Sequence, residues 1–164
     1  MSNPYAEMLA RQDARAVLAS TPGLLHQAAC TLSPEQIEAP IAPGKWSVRQ
    51  IVAHLVDCEI AFSFRLRQTL AGPGQGATQV LIQPFEQEAW ARHYATYDLP
   101  SALALFRALR EWNLKLVGGL SKAELASETL HPERGLLTFQ TILDTMAGHD
   151  LNHLLQVQKV ASAQ

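Results

Sequence analysis

The chain has 164 residues and a net charge of −2, which predicts one domain over residues 1–164 with a core large enough to need no disulfide. Its near-neutral charge and lack of basic clusters with interleaved aromatic residues argue against nucleic-acid binding, and its apolar runs are too short to span a membrane. Cys30 and Cys58 are far apart and form no C-x-x-C motif, which predicts a reducing, cytoplasmic location.

The first quarter of the chain is predicted to be helical. Residues 4–32 carry apolar residues at helical spacing, interrupted in the middle by Thr21–Pro22–Gly23. Pro22 either kinks one long helix or begins a second one, and the sequence leaves both readings open. Ser33 followed by Pro34 predicts a short helical turn over residues 34–38, and a loop rich in proline follows it.

A second strong helix is predicted to begin after Trp46. Ser47 and Gln50 form a capping box, and apolar residues continue at helical spacing to Ala71. His54 lies at the edge of this apolar stripe, where a histidine taken alone is typical of a core residue with a hydrogen-bond partner. Glu59 lies within the stripe, which is unusual for an unpaired carboxylate.

The middle of the chain is less regular. Glycines and a proline at residues 72–76 end the second helix, and the apolar run 80–82 is too short to assign as a strand. Residues 85–97 have helical spacing and predict a short helix.

A third long helix is predicted to begin at Asp98 or Ser101 and to stop at Gly118–Gly119. A short capped turn over residues 121–126 follows it. The last connection, residues 127–137, contains a turn at His131–Gly135, and we expect His131 to be a solvated loop residue there.

The last helix, residues 138–161, begins with Thr138 as the predicted N-cap and carries polar residues inside its apolar stripe. They are His149, Asp150 and His153. Residues at positions i and i+4 of a helix are separated by about 40° and about 6 Å, so the two imidazoles project toward the same point. They are either core histidines bonded to each other or to carbonyl groups, or ligands of a metal ion, and the spacing alone leaves both readings open.

Four long helical segments without alternating strands predict an all-α fold, a four-helix bundle. Facing helices would then bring His54 toward His149 and His153, and three imidazoles with a vacant position suit Zn²⁺ or Ni²⁺. Asp150 and Glu59 would orient imidazole N–H groups in a second shell, or one of them would join the coordination sphere.

Two segments carry a resemblance to a known family: WSVRQIVAHLVDCEIAFSFRLR at residues 46–67 and HPERGLLTFQTILDTMAGHDLNHLLQV at residues 131–157. They resemble the DinB-like superfamily of damage-inducible bacterial proteins. The resemblance implies a four-helix bundle that binds one divalent metal through three histidines, which carry over onto His54, His149 and His153. It also implies thiol chemistry as an option, because the wider superfamily includes bacillithiol S-transferases and mycothiol-dependent isomerases.

Three functional hypotheses follow from the sequence and the resemblance. The first is a metal-dependent enzyme that transfers a low-molecular-weight thiol such as bacillithiol to an electrophile, or that hydrolyses its substrate. Arg65 is then either a residue that receives an anionic substrate group or an ordinary surface residue. The second is a non-catalytic, stress-associated or interaction protein with a structural metal, and the third is a helical dimer without metal. We expect a homodimer and leave the substrate open.

Overall fold

The computed structural model describes residues 3–162, and four long helices account for most of them. The other elements of these residues are four shorter helices, one of which precedes the first long helix, together with one 3₁₀ turn and one β-hairpin. In chain order, the elements are α1 (Ala6–Leu9), α2 (Ala14–Ala29), α3 (Pro34–Glu38), α4 (Val48–Ala71), α5 (Gln87–Ala91), the 3₁₀ turn (Tyr94–Thr96), α6 (Leu99–Gly118), α7 (Lys122–Leu125), β1 (Glu128–His131), β2 (Gly135–Thr138) and α8 (Phe139–Ser162).

The long helices α2, α4, α6 and α8 pack as a four-helix bundle, so the predicted fold class is confirmed. α2 packs against α8 and α6, and α4 packs against the same two helices. Around the bundle the order is therefore α2, α8, α4, α6, with α2 diagonal to α4 and α6 diagonal to α8. Among the described residues, no helix is long and apolar enough to cross a membrane.

Helices α4 and α6 begin where their capping residues predict, whereas the predicted helical region 4–32 is interrupted before α2, which Asp13 caps by accepting a hydrogen bond from the Ala16 amide. Ser47 accepts a hydrogen bond from the Gln50 amide, and the Gln50 side chain accepts one from the Ser47 amide, which completes the capping box of α4. Asp98 caps α6 by accepting from the amide of Ser101, which decides between the two predicted starts of that helix. These interactions bond backbone N–H groups that have no partner within the helix.

Pro22 lies inside one continuous helix, α2, and it changes a hydrogen bond between α2 and α6. Proline has no backbone N–H, so the carbonyl of Leu18, four residues earlier, lacks its helical donor. Arg110 of α6 supplies the missing hydrogen bond, with its Nη1 3.0 Å from the Leu18 oxygen.

The β-hairpin corrects the expectation of an irregular connection over residues 127–137. β1 and β2 pair antiparallel, with His131 opposite Gly135, which has a φ of 76°. Leu130 extends the pairing by donating to the carbonyl of Val80 and accepting from the amide of Ile82. His131 is consequently 5% exposed rather than solvated. Strands of four residues are too short for their alternation of side chains to be recognised in the sequence.

The apolar core has two parts separated by a polar layer. One cluster contains the first half of α4 and the second half of α8, and the other contains the second half of α4 and the first half of α8. The intervening positions are buried and polar. They include Glu59 on α4, Arg110 and Asn113 on α6, and His149 and Asp150 on α8.

Arg110 is the centre of this polar layer, and its side chain is 1% exposed. Its Nε and Nη2 donate to the two carboxylate oxygens of Glu59 at 3.1 and 2.7 Å, and its Nη1 donates to Asp150 at 2.7 Å. Asn113 donates a further hydrogen bond to Glu59 at 2.7 Å. Burial by itself lowers the pKa of Arg110, but the charges of the two carboxylates outweigh burial and raise it. The guanidinium therefore stays charged and joins all four bundle helices.

Replacing Arg110 by methionine tests how much this polar layer contributes to the stability of the bundle. The Arg110→Met variant leaves two buried carboxylates without their cation, so we expect the free energy of unfolding to fall by about 3–5 kcal/mol. Urea denaturation followed by circular dichroism measures the change.

Arg107→Met is the matched control on the same helix. Arg107 pairs with Glu111 at the surface, where its side chain is 73% exposed, and we expect its loss to leave the free energy of unfolding nearly unchanged. Equal effects of the two substitutions would show that the buried network does not hold the bundle together.

Candidate metal centre

Three histidines from two helices converge in the polar layer. His54 of α4 meets His149 and His153 of α8, and one nitrogen from each ring lies within 4.8 Å of the others. The Nε2 atoms of His54 and His149 are 3.1 Å apart. The side chains are buried, with exposed fractions of 1%, 6% and 8% for His54, His149 and His153. The structure thus brings together the three histidines that the sequence predicts as metal ligands.

Helix geometry explains why these rings meet. His149 and His153 are separated by one turn of α8, so they share a face, and their ring centroids are 4.6 Å apart. α4 packs against that face, and the ring of His54 lies 5.1 Å from His149 and 4.9 Å from His153. The three rings form a compact triangle between the helices.

The three imidazoles are neutral at physiological pH. Burial lowers the pKa of His54 to about 3, with a further lowering from His153. Burial also lowers the pKa of His149 well below its ordinary value, and it lowers the pKa of His153 although the hydrogen bond that His153 donates to Gln156 acts in the opposite direction. Neutral imidazoles keep a free lone pair, which a metal ion requires of its ligands.

The outer nitrogens of the rings point away from the cluster. The Nδ1 of His54 lies 3.3 Å from the hydroxyl of Tyr94, and the Nδ1 of His153 lies 3.0 Å from the side-chain oxygen of Gln156. The Nδ1 of His149 has no hydrogen-bond partner among the described residues. Outer partners of this kind fix the orientation of metal-binding histidines in proteins.

The residues fit a divalent ion. Two nitrogen ligands of a tetrahedral zinc ion lie about 3.3 Å apart, given zinc–nitrogen bonds of about 2.0–2.1 Å. The 3.1 Å separation between the inner nitrogens of His54 and His149 is close to that value. Three neutral nitrogen donors are also the donor set that zinc and nickel accept.

Glu59 and Asp150 differ from the expectation that they orient imidazole N–H groups. Their short hydrogen bonds go to Arg110, and Glu59 accepts a further one from Asn113. The physical reason is charge, because two buried carboxylates are stabilised far more by a guanidinium than by a neutral N–H. The outer partners of the histidines are instead Tyr94 and Gln156.

Cys58 lies against the cluster, although the sequence pattern alone did not predict it as a site residue. Its Sγ is 3.5 Å from the Nε2 of His54 and 3.8 Å from the Nε2 of His149. Burial raises the pKa of its thiol, and the charges of Asp150 and Asp57 raise it further. The spacing of four residues between His54 and Cys58 on one helix is the signal that would have found it.

Aromatic rings enclose two of the histidines, and a cleft opens beside the third. The ring centroids of Trp46 and His54 are 4.8 Å apart, and those of Tyr5 and His149 are 5.3 Å apart, with the latter two rings nearly perpendicular. A cleft of about 310 Å³ is lined in part by His153 and Gln156.

Arg65 is half-buried near the other side of the cluster. Its guanidinium lies 5.6 Å from the ring centroid of Phe62, and Phe62 is itself 6.4 Å from the ring of His149. Its Nη2 donates to the carbonyl of Gln83. Arg65 thus places a positive charge one aromatic ring away from His149.

Comparison with known proteins identifies a family and several relatives of this chain. The sequence model of the DinB superfamily matches residues 17–157. A provisionally named metal-dependent hydrolase of Oceanobacillus iheyensis is 28% identical over 138 residues, which are 83% of this chain and 77% of that protein. YfiT of Bacillus subtilis, with the same provisional name, is 25% identical over 148 residues, which are 88% of this chain and 80% of YfiT.

A solved structure extends the comparison to the fold. The structure of Bacillus subtilis YfiT superimposes with a TM-score of 0.80 at 25% sequence identity, covering 90% of this chain and 83% of YfiT. It is described, again provisionally, as a metal-dependent hydrolase with an unusual four-helix-bundle topology.

Gly148→Ala tests how tightly the N-terminal segment closes over His149. A Cβ at Gly148 would lie 2.5 Å from the Cβ and 2.6 Å from the carbonyl oxygen of Tyr5, so the segment must move away from α8. We expect the free energy of unfolding, measured in urea, to fall by about 1–3 kcal/mol.

Gly23→Ala is the control. Gly23 lies inside α2, and a Cβ added there would have no neighbouring atom within 4 Å, so alanine should stabilise the protein by about 0.5–1 kcal/mol. A Gly148→Ala variant as stable as Gly23→Ala would show that the contact between Tyr5 and α8 is loose.

Proposed function

The chain belongs to the DinB superfamily, and on that basis we propose that it is a hydrolase dependent on a divalent metal ion. The observation that carries the proposal is the convergence of three neutral imidazoles beside an open cleft. The names of the relatives support it, because they place similar chains among metal-dependent hydrolases.

We assign His54, His149 and His153 as the metal ligands. Three protein ligands leave a position for water or substrate, which is typical of catalytic rather than structural zinc sites. Zinc and nickel are the ions we propose, since both are commonly bound by imidazole nitrogen.

The surrounding residues prepare the site for chemistry. A bound ion would polarise a carbonyl or phosphoryl oxygen and lower the pKa of a water molecule at the vacant position. Trp46 and Tyr5 cover the rings of His54 and His149 and shield these two histidines from bulk water, which strengthens electrostatic interactions within the site. The cleft beside His153 admits the substrate, and the charge of Arg65 favours a substrate with an anionic group near His149.

Two alternatives are tested alongside hydrolysis. Transfer of a thiol such as bacillithiol is supported by the family resemblance, whereas the relatives' names favour hydrolysis. A non-catalytic, stress-associated protein with a structural metal would lose stability on chelation and turn over no substrate. An activity panel of carboxylic and phosphoric esters, with separate bacillithiol and mycothiol reactions, distinguishes the three.

We further propose that the protein acts as a cytoplasmic homodimer. Large apolar side chains are exposed on the neighbouring helices α4 and α6, including Phe64 at 61% and Trp112 at 63%. A second copy would cover such residues. Analytical ultracentrifugation of the untagged protein determines the oligomeric state.

Single alanine substitutions of the three histidines test the metal site. We expect wild-type protein purified without a histidine tag to hold about one divalent ion per chain, and each variant to lose most of it together with hydrolysis. Elemental analysis by mass spectrometry measures the metal, and the ester panel measures turnover.

His26→Ala provides the control for these variants. His26 is exposed on α2, so its loss should change neither metal content nor activity. Wild-type protein that remains free of metal after incubation with zinc and nickel would refute the proposed function.

Removal of the metal should also lower thermal stability. An ion at a free concentration of about 100 times its Kd contributes about 2.7 kcal/mol, which corresponds to about 5–10 °C in Tm for a chain of this size. Differential scanning calorimetry before and after dialysis against a chelator measures the shift. The His54→Ala variant should show no shift, and a shift equal to that of the wild type would place the ion elsewhere.

A further inference from the structure

Tyr94 connects His54 to a carboxylate. Tyr94 lies on the 3₁₀ turn before α6, is fully buried, and places its hydroxyl 3.3 Å from the Nδ1 of His54. Burial raises the pKa of this hydroxyl, and the neighbouring carboxylate of Asp57 raises it further, so the hydroxyl stays protonated beside a carboxylate that can accept its hydrogen. His54 and Asp57 are three residues apart on α4, so Tyr94 bridges two side chains of one helix from outside it.

The number of hydrogen atoms available to His54, Tyr94 and Asp57 determines which group donates and which accepts in each contact. A carboxylate only accepts hydrogen bonds, so the single hydroxyl hydrogen of Tyr94 is donated to Asp57. The tyrosine oxygen is then free to accept from the Nδ1–H of His54. A neutral imidazole carries one N–H, so the Nε2 of His54 has its lone pair directed toward His149, 3.1 Å away.

We propose that Tyr94 and Asp57 are positioning residues that hold His54 in the tautomer required for metal binding. The inference rests on the proposed metal site but concerns groups outside it. Without Tyr94, the two tautomers of His54 would exchange, and the fraction with the proton on Nε2 could not bind the ion. Outer partners of this kind change metal affinity by about 10–100-fold in other proteins.

The turn that carries Tyr94 is held to α4 by a separate anchor. Arg49, in the first turn of α4, donates hydrogen bonds to the carbonyls of Tyr94 and Tyr97. Its Nε also pairs with Glu38 at 2.7 Å. Because this anchor uses backbone atoms of the turn, removing the Tyr94 hydroxyl leaves the turn in place.

Asp57, the outermost of these three residues, reaches the protein surface. Asp57 is half-buried and borders two clefts of about 230 and 340 Å³, one between α4 and α6 and the other beside Trp90 and His93. The positioning of a buried histidine therefore depends on a carboxylate that solvent can reach.

The first experiment reads the tautomer directly in metal-free protein. Long-range ¹H–¹⁵N correlation spectra of histidine-labelled protein distinguish the two tautomers, and the His54→Gln variant assigns the signal. We expect His54 to carry its proton on Nδ1 in the wild type and to show a mixture in Tyr94→Phe. A wild-type proton on Nε2, or an unchanged tautomer in Tyr94→Phe, would overturn the proposal.

The second experiment measures zinc affinity by competition with a chromophoric chelator. We expect Tyr94→Phe to weaken binding by about 10–100-fold. Asp57→Ala should weaken binding less, and the double variant should bind no more weakly than Tyr94→Phe, because Asp57 acts through Tyr94. Additive losses would overturn the connection between the two residues.

Tyr97→Phe is the matched control, since it removes a hydroxyl from an exposed tyrosine beside the same turn. It should retain wild-type affinity and the wild-type tautomer. If wild-type protein binds no divalent ion, the proposed function fails, and the spectra of the metal-free protein then decide this inference alone. If wild-type protein binds zinc and Tyr94→Phe binds it equally well, this inference fails and the proposed function stands.

Discussion

The pairing of Arg110 with two buried carboxylates is the constraint on which the metal centre depends. Glu59 lies five residues after His54 on α4, and Asp150 directly follows His149 on α8. Both carboxylates are inside the bundle, where an unpaired charge is strongly unfavourable, so α4 and α8 cannot rotate away from Arg110 without a large loss of free energy. The rotation that satisfies Arg110 is also the one that turns His54 toward His149 and His153.

The third hydrogen-bond acceptor of Arg110, the Leu18 carbonyl, is available because of a proline in a different helix, α2. Pro22 removes one hydrogen bond from the interior of α2 and leaves the Leu18 carbonyl free to accept from Arg110. A residue that weakens its own helix thereby supplies an acceptor to a buried guanidinium, whose many N–H groups all need partners. At this position α2 loses one hydrogen bond of its own, and the bundle gains one hydrogen bond between α2 and α6.

Local sequence patterns predict the long helices, while the contacts between helices depend on tertiary packing. The capping box at Ser47 and the apolar spacing of the last helix are local signals, and both helices begin where those signals predict. The prediction that His54 lies close to the histidines of the last helix came mainly from the family resemblance. The partners of Glu59 and Tyr94 lie 51 and 40 residues away along the chain, and no periodicity encodes such contacts.

The charges around the centre suit a divalent cation held by neutral ligands. Three imidazoles contribute no charge, so a buried dication needs negative charge nearby. Glu59, Asp150 and Asp57 supply three carboxylates, Arg110 and Arg65 supply two guanidinium groups, and none of the carboxylates is required to touch the ion. Because Arg110 holds two of them at fixed positions, the field at the histidines is set before any ion arrives. Such a preorganised field favours binding without closing the vacant position that hydrolysis requires.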